Sequence, residues 1–113
     1  MELSKAAAFD QAVSTLFGHL VTTFPQPVGI DATAAGLTKQ SGYKVDENSG
    51  FGELVEVPAH QDEVFFVGCV TWLEAEGYIH AKREGFSFVN VVLTAKGLKL
   101  LRVEPRCLNT NIY

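Results

Sequence analysis

The chain has 113 residues, of which 47% are hydrophobic and 19% are charged. These values are typical of one globular domain with a single core, and they exclude an intrinsically disordered protein. No apolar run reaches the roughly 18 residues of a membrane-spanning helix, and the first residues lack the basic start and apolar block of a secretion signal. We therefore predict a cytoplasmic protein with no membrane partner, in which Cys69 and Cys107 are reduced thiols.

Charge is distributed unevenly along the chain. Residues 1–79 hold eleven acidic side chains and three lysines, which gives −8, whereas residues 80–113 hold two acidic and six basic side chains, which gives +4. A basic end on an acidic body can orient a protein toward a polyanion. Six cations over 34 residues are not dense, however, and this favours the solvated surface of a last helix and a tail.

The N-terminal part of the chain predicts an amphipathic helix. Apolar residues from Phe9 to Leu20 recur at steps of three and four, so we expect a helix over residues 4–23 with Ser4 as its N-cap. The Pro-Gln-Pro segment that follows ends this helix, because proline lacks an N–H and restricts the residue before it.

The next segment predicts one short strand and one short helix. Residues 28–30 are apolar and long enough for a small edge strand. Asp31 then caps a short helix over residues 32–35, which Gly36 stops.

Residues 37–61 form the least regular region. Residues 43–45 and 54–57 can pair as a β-hairpin around a polar turn at residues 46–50. A partly ordered loop fits the same composition equally well.

A second long helix is predicted from Asp62 to Glu76, and it is apolar almost all the way round. Such a helix is buried on more than one side. Asp62 is its cap or first-turn residue, and Phe66 and Leu73 are expected in the core. For Phe65 and Trp72 the sequence favours burial and exposure equally. A stripe of small or polar residues also runs along the helix, formed by Gln61, Gly68, Thr71 and Ala75.

The remaining chain predicts a β-hairpin and a final helix. Gly77 stops the second long helix, strands are expected over residues 78–81 and 86–93, and residues 82–85 form a charged turn. With regular alternation, Phe86, Phe88 and Val92 would share one face of the second strand. Thr94 caps the last helix, whose core-facing residues are Ala95, Leu98 and Leu101, and Pro105 ends it.

Two segments of the chain resemble winged-helix regulators of the MarR and PadR type. They are TWLEAEGYI at residues 71–79 and LTAKGL at residues 93–98. In such proteins an L-E-x-x-G-(Y/L)-I motif closes the recognition helix and opens the wing, and an L-T-x-x-G motif starts the next helix. The resemblance implies an α+β fold with a single winged-helix domain over residues 1–105, followed by a flexible tail at 106–113. The implied order is helix, short strand, short helix, long loop, helix, β-hairpin wing and C-terminal helix.

The resemblance also implies a non-enzymatic transcription regulator that binds double-stranded DNA weakly, through the wing and the basic C-terminal helix. Lys82 and Arg83 stand where wing-tip residues touch the phosphate backbone or the minor groove, and Lys96, Lys99 and Arg102 would add positive charge. A handful of cations on an acidic body predicts weak, salt-dependent affinity. A homodimer would double the contact surface, as in many helix-turn-helix proteins.

The alternative hypothesis is an adaptor that binds protein rather than DNA. The only charged residues of the helix that would enter the DNA groove are acidic, and residues 37–61 replace the short turn that precedes it in the family. Phe65 and Trp72 could anchor an interface. Gly68, Thr71 and Ala75 would let the helix of a protein partner, or of a second copy, approach closely.

We find no sequence pattern that predicts catalysis, a metal site or a cofactor. His19, His60 and His80 lie on different predicted elements without metal-ligand spacing to either cysteine. Cys69 lies in an apolar helix, where a thiol is inert. Residues 46–51 resemble the start of a calcium loop, but phenylalanine stands where glycine is required, so we interpret them as a polar turn.

Overall fold

The structure, a computed structural model, describes residues 5–45, 50 and 52–108. In this part of the chain three α-helices and two antiparallel sheets form an α+β protein, as the sequence predicts. The helices are α1 (Ala6–Thr23), α2 (Gln61–Ala75) and α3 (Ala95–Leu100). The strands are β1 (Val28–Ile30), β2 (Gly42–Val45), β3 (Leu54–Val57), β4 (Ile79–Glu84) and β5 (Ser87–Leu93). Short 3₁₀ helices span Ala32–Ala35 and Arg106–Leu108.

The larger sheet has the strand order β1-β5-β4, with β1 at an edge as predicted. One face of this sheet packs with α1 and α2 around the hydrophobic core. Phe66 and Leu73 of α2 are buried there, which confirms their predicted place. Phe66 meets Phe88 of β5 edge to face, with ring centroids 5.8 Å apart. The other large apolar side chains that are fully buried are Leu16, Leu20, Val70, Ile79 and Val91.

The turn between β4 and β5 is shorter than the sequence predicts. Glu84 pairs with Ser87, so only Gly85 and Phe86 form the connection. Gly85 has a φ of 62°, and glycine at the first central position is typical of a two-residue hairpin turn. The predicted turn over residues 82–85 is therefore wrong, and Lys82 and Arg83 belong to β4.

A β-bulge makes the pairing of β5 with β4 irregular. His80 pairs with Val92 and Lys82 with Val89, which leaves one extra residue on β5. Asn90 lies at this bulge with a φ of 55°, a conformation that asparagine tolerates better than most residues. The bulge brings Phe88, Val91 and Leu93 into the core. The predicted shared face of Phe86, Phe88 and Val92 is wrong.

The short 3₁₀ helix after β1 follows its sequence signals closely. The Asp31 carboxylate accepts the N–H of Thr33 at 3.0 Å, and Gly36 ends the helix with a φ of 75°. The predicted cap and stop are both confirmed.

Both later helices differ from prediction in their bounds, and α2 ends one residue earlier than expected, at Ala75. α2 begins one residue earlier, at Gln61, and Asp62 lies in its first turn. Thr94 caps α3 as predicted, since its hydroxyl oxygen accepts the N–H of Gly97 at 3.1 Å. α3 nevertheless ends at Leu100, well before Pro105, and Ala95 is exposed. A helix this short buries only Gly97 and Leu98.

The predicted β-hairpin between β2 and β3 is confirmed, with Val45 opposite Leu54. Most of its predicted turn, residues 46–49, lies outside the described residues, as do the greater part of the calcium-like segment and the predicted cap Ser4. Cys69 is buried, Cys107 is exposed, and both are free thiols. None of the helices in the described ranges combines the length and apolar content needed to cross a membrane.

Candidate functional site

The outward face of α2 is the most unusual surface among the described residues. The inward face of α2 packs into the core, as expected for an apolar face. The outward face of the same helix carries no charged side chain either. Five residues at alternating steps of three and four line this outward face, and Phe65 and Trp72 flank them. Val64 is 59% exposed and Trp72 is 48% exposed, so two large apolar side chains meet solvent on one helix. The five residues are Gln61, Val64, Gly68, Thr71 and Ala75.

An apolar groove of about 670 Å³ runs beside this face, where α1 approaches α2. None of the described residues that line it is charged; they are Phe9, Val64, Phe65, Gly68, Cys69 and Trp72. An exposed groove with an apolar lining is a common feature of sites that bind proteins or small apolar ligands.

Two neighbouring rings hold Trp72 in place at the groove. Phe9 of α1 meets the indole edge to face, with centroids 5.6 Å apart and an interplanar angle of 89°. Tyr78 stacks on it at 6.2 Å and 29°. Because the indole is fixed on two sides and open on the third, it is a preorganised wall of the groove and not a freely rotating surface side chain.

Gly68 leaves the middle of this helix face open. A Cβ atom built at this position would meet nothing within 4 Å in the described part of the chain. A second backbone can therefore approach α2 more closely here than at any position with a side chain.

At the deeper side of the groove, burial raises the pKa of the Cys69 thiol, so that it stays protonated and unreactive, as the sequence predicts.

The groove brings together three of the five residues predicted for a partner interface. Phe65, Gly68 and Trp72 line it, and Thr71 and Ala75 continue the same exposed face toward the end of α2. Sequence reasoning missed Phe9 and Val64. Phe9 belongs to the apolar stripe of α1, and nothing in that stripe distinguishes a groove residue from a core residue.

The predicted DNA-contacting residues Lys82 and Arg83 are both exposed but point to opposite faces of their strand. The Arg83 Nε donates a hydrogen bond to the Gly85 carbonyl at 2.7 Å, and its guanidinium lies 5.9 Å from the Phe86 ring centroid. Arg83 is therefore partly engaged within its own hairpin, whereas Lys82 lies on the outer face.

The other three predicted cations belong to α3 and the turn after it. The Lys96 ammonium donates to the Glu76 carbonyl at 2.7 Å and lies 4.5 Å from the Tyr78 ring centroid. It thereby stabilises the carboxyl end of α2, where cations are favoured. Lys99 and Arg102 are exposed.

Sequence reasoning also missed the role of Glu63 as a buried anchor. This carboxylate is only 1% exposed. It accepts the N–H groups of Gln40 at 2.8 Å, Ser41 at 2.7 Å and His60 at 3.1 Å, and also the Ser41 hydroxyl. Burial raises the pKa of Glu63, but the hydrogen bonds outweigh this effect and hold the pKa at about 2. The anionic carboxylate thus ties the segment that leads into β2 to the first turn of α2.

The three histidines lie at the surface or next to a helix end. His60 precedes α2, where its Nδ1 accepts the N–H of Asp62 at 3.0 Å, and His19 and His80 are exposed. Among the described residues, no three side chains of the metal-ligating types lie close enough together to hold an ion.

Comparisons of this chain with protein-family models, with curated proteins and with solved structures found no match.

Proposed function

We propose that this chain is a winged-helix protein-interaction module that binds its partner through the apolar groove along α2. The observation that carries the proposal is the half-exposed, ring-supported Trp72 beside the open backbone of Gly68. In the MarR- and PadR-type proteins that the sequence resembles, the corresponding helix is the one that recognises DNA.

The arrangement of elements supports the winged-helix part of the proposal. α2 is followed at once by the β4–β5 hairpin and then by α3, and β1 completes a sheet of order β1-β5-β4. In this interpretation α2 is the recognition helix and the β4–β5 hairpin is the wing. The two segments that carry the resemblance also contact each other, because the Thr94 N–H donates to the Tyr78 carbonyl at 3.1 Å.

The chemistry of α2 favours a protein partner over DNA. Base edges and phosphates require hydrogen-bonding and cationic side chains, whereas the sequence of α2 contains no Lys or Arg and its acids are Asp62, Glu63 and Glu74. Aromatic anchors in a desolvated pocket are typical of protein interfaces. A helix with an uncharged apolar face is the partner that fits this groove best.

Site-specific photo-crosslinking in the cells that produce the protein tests the proposal. A photoreactive phenylalanine analogue at Val64, inside the groove, is compared with the same analogue at Leu100, an exposed apolar position on α3. We expect a protein adduct from position 64 and none from position 100. Nucleic-acid adducts from a third probe at Lys82, together with no protein adduct from position 64, would contradict the proposal.

Weak DNA binding by the β4–β5 hairpin is a second candidate function. The observation that favours it is the charge of +4 on residues 80–113, with Lys82 exposed on the outer face of the hairpin. Positive charge near a hairpin tip can bind phosphates without contributing sequence specificity.

A further inference from the structure

We infer that the groove along α2 takes a second copy of this chain, with the two α2 helices packed antiparallel about a two-fold axis near Gly68. This inference rests on the proposed function and names its partner. It predicts a symmetric homodimer in which each copy supplies one groove and one tryptophan.

The outward face of α2 is complementary to itself in this arrangement. Its five outward residues follow the alternating three- and four-residue steps of a coiled-coil seam. An antiparallel two-fold axis at Gly68 places Val64 of each copy opposite Trp72 of the other, and Gln61 opposite Ala75. Gln61 would then face a small side chain, and the two large apolar side chains Val64 and Trp72 would contact each other across the seam. Because Gly68 has no side chain, the two backbones can approach each other at the crossing point.

Each indole then has a place to bind. Trp72 extends into solvent from one rim of its own groove. In the dimer it would cover the Val64 side of the opposite groove, while Phe9 and Tyr78 continue to hold it from behind. Dimer formation would therefore bury the exposed Val64 and Trp72 side chains of both copies.

Charges at the ends of the groove favour the antiparallel orientation. Lys5 lies beside the amino-terminal half of α2, with its ammonium 5.4 Å from the Phe65 ring centroid. Glu76 is exposed just after the last turn of α2, on the same side of the helix as Phe65. Antiparallel packing brings Lys5 of each copy toward Glu76 of the other, and it also opposes the two helix dipoles.

Parallel packing would instead gather the acidic carboxyl ends of both helices. The two Glu76 side chains would then lie at the same end of the pair, where neither faces Lys5 of the other copy. The remaining acid on this side of the helix, Asp62, is already engaged, since its carboxylate accepts the Thr38 N–H at 3.0 Å. The pairing of Lys5 with Glu76 therefore favours the antiparallel orientation of a second copy.

Sedimentation equilibrium of the full chain over a concentration series tests the inference, and Trp72 fluorescence gives a second signal. Trp72 is the only tryptophan, so dimer formation should shift its emission to the blue and protect it from acrylamide. Gly68→Gln should raise the dimer Kd by at least about tenfold, a loss expected for a disrupted interface centre. The same variant should fold at least as stably as the parent, since glycine is a poor helix former.

A matched control and a charge exchange complete the experiment. Leu100→Gln changes an exposed apolar residue outside the groove and should leave the Kd unchanged. Lys5→Glu and Glu76→Lys should each weaken the dimer several-fold, and the double variant should recover most of the loss. A double variant no tighter than either single variant would overturn the antiparallel geometry.

A chain that stays monomeric at every concentration would overturn the inference. If position 64 still crosslinks to a different protein, the proposed interaction module stands and only its partner is wrong. If position 64 gives no protein adduct, both proposals fail.

Discussion

Gly97 of α3 lies directly against the carbonyl oxygen of Tyr78. A Cβ atom at position 97 would stand 2.3 Å from that oxygen and 3.1 Å from the Leu93 side chain. The same carbonyl accepts the Thr94 N–H, and the Thr94 hydroxyl donates to the Gly77 carbonyl at 2.5 Å. The connection between α2 and β4 therefore meets the start of α3 backbone to backbone, which explains why glycine occupies position 97.

Gly97→Ala should destabilise the fold by about 2–3 kcal/mol, because the added methyl group overlaps backbone atoms that cannot move aside. Gly68→Ala is the matched control, since it adds the same atom to a helix at a position open to solvent. It should stabilise the monomer by up to about 1 kcal/mol. Urea unfolding of both variants at low protein concentration, followed by circular dichroism, measures the difference. Equal effects of the two substitutions would contradict the close approach.

Local sequence signals predict elements of this fold where the deciding contacts are also local. Asp31 and Gly36 delimit a short helix of four residues, and both act through neighbours within a few positions. Thr94 predicts the start of α3 for the same reason. The bulge at Asn90 is different, because it depends on the register between β4 and β5, which no single segment encodes.

In the candidate site too, some features depend on local sequence and others on contacts between distant segments. Phe65, Gly68 and Trp72 can be identified on one helix from their spacing, but the groove also requires Phe9 from α1. Glu63 has an ordinary position in the first turn of a helix, and the pattern suggests only a favourable charge there. Its partners Gln40 and Ser41 precede it by 23 and 22 residues, so its role as a buried anchor depends on tertiary structure.

Glu63→Gln should destabilise the protein by roughly 2–4 kcal/mol, because an amide cannot accept all four hydrogen bonds and the donors were paired with a charge. Glu74→Gln removes an exposed carboxylate from the same helix and serves as the control, with an effect near zero. Hydrogen exchange should also show faster exchange of the Gln40 and Ser41 amides in the Glu63 variant. Unchanged protection of these two amides would refute the proposed link between the hairpin segment and α2.

Acid should remove the contribution of Glu63 to the free energy of unfolding over a defined range of pH. The pKa of this carboxyl is about 2 in the folded protein and near its ordinary value of 4.5 in the unfolded chain. The unfolded state therefore binds the proton first as the pH falls, so stability is fully present above about pH 4.5 and decreases toward pH 2. Urea midpoints measured across this range should fall less steeply for Glu63→Gln than for the parent chain. Parallel pH profiles would show that Glu63 does not contribute to acid sensitivity.

DNA binding should be weak and confined to low salt. With labelled random duplex DNA, we expect detectable association at about 50 mM salt and almost none at about 200 mM, because few phosphates are neutralised. Lys82→Ala combined with Arg83→Ala should abolish the low-salt association. Lys39→Ala combined with Lys44→Ala removes the same charge from the acidic part of the chain and should have little effect. Binding that survives 200 mM salt would make DNA the principal ligand. Binding that the Lys82 and Arg83 changes leave intact would assign DNA recognition to a surface other than this hairpin.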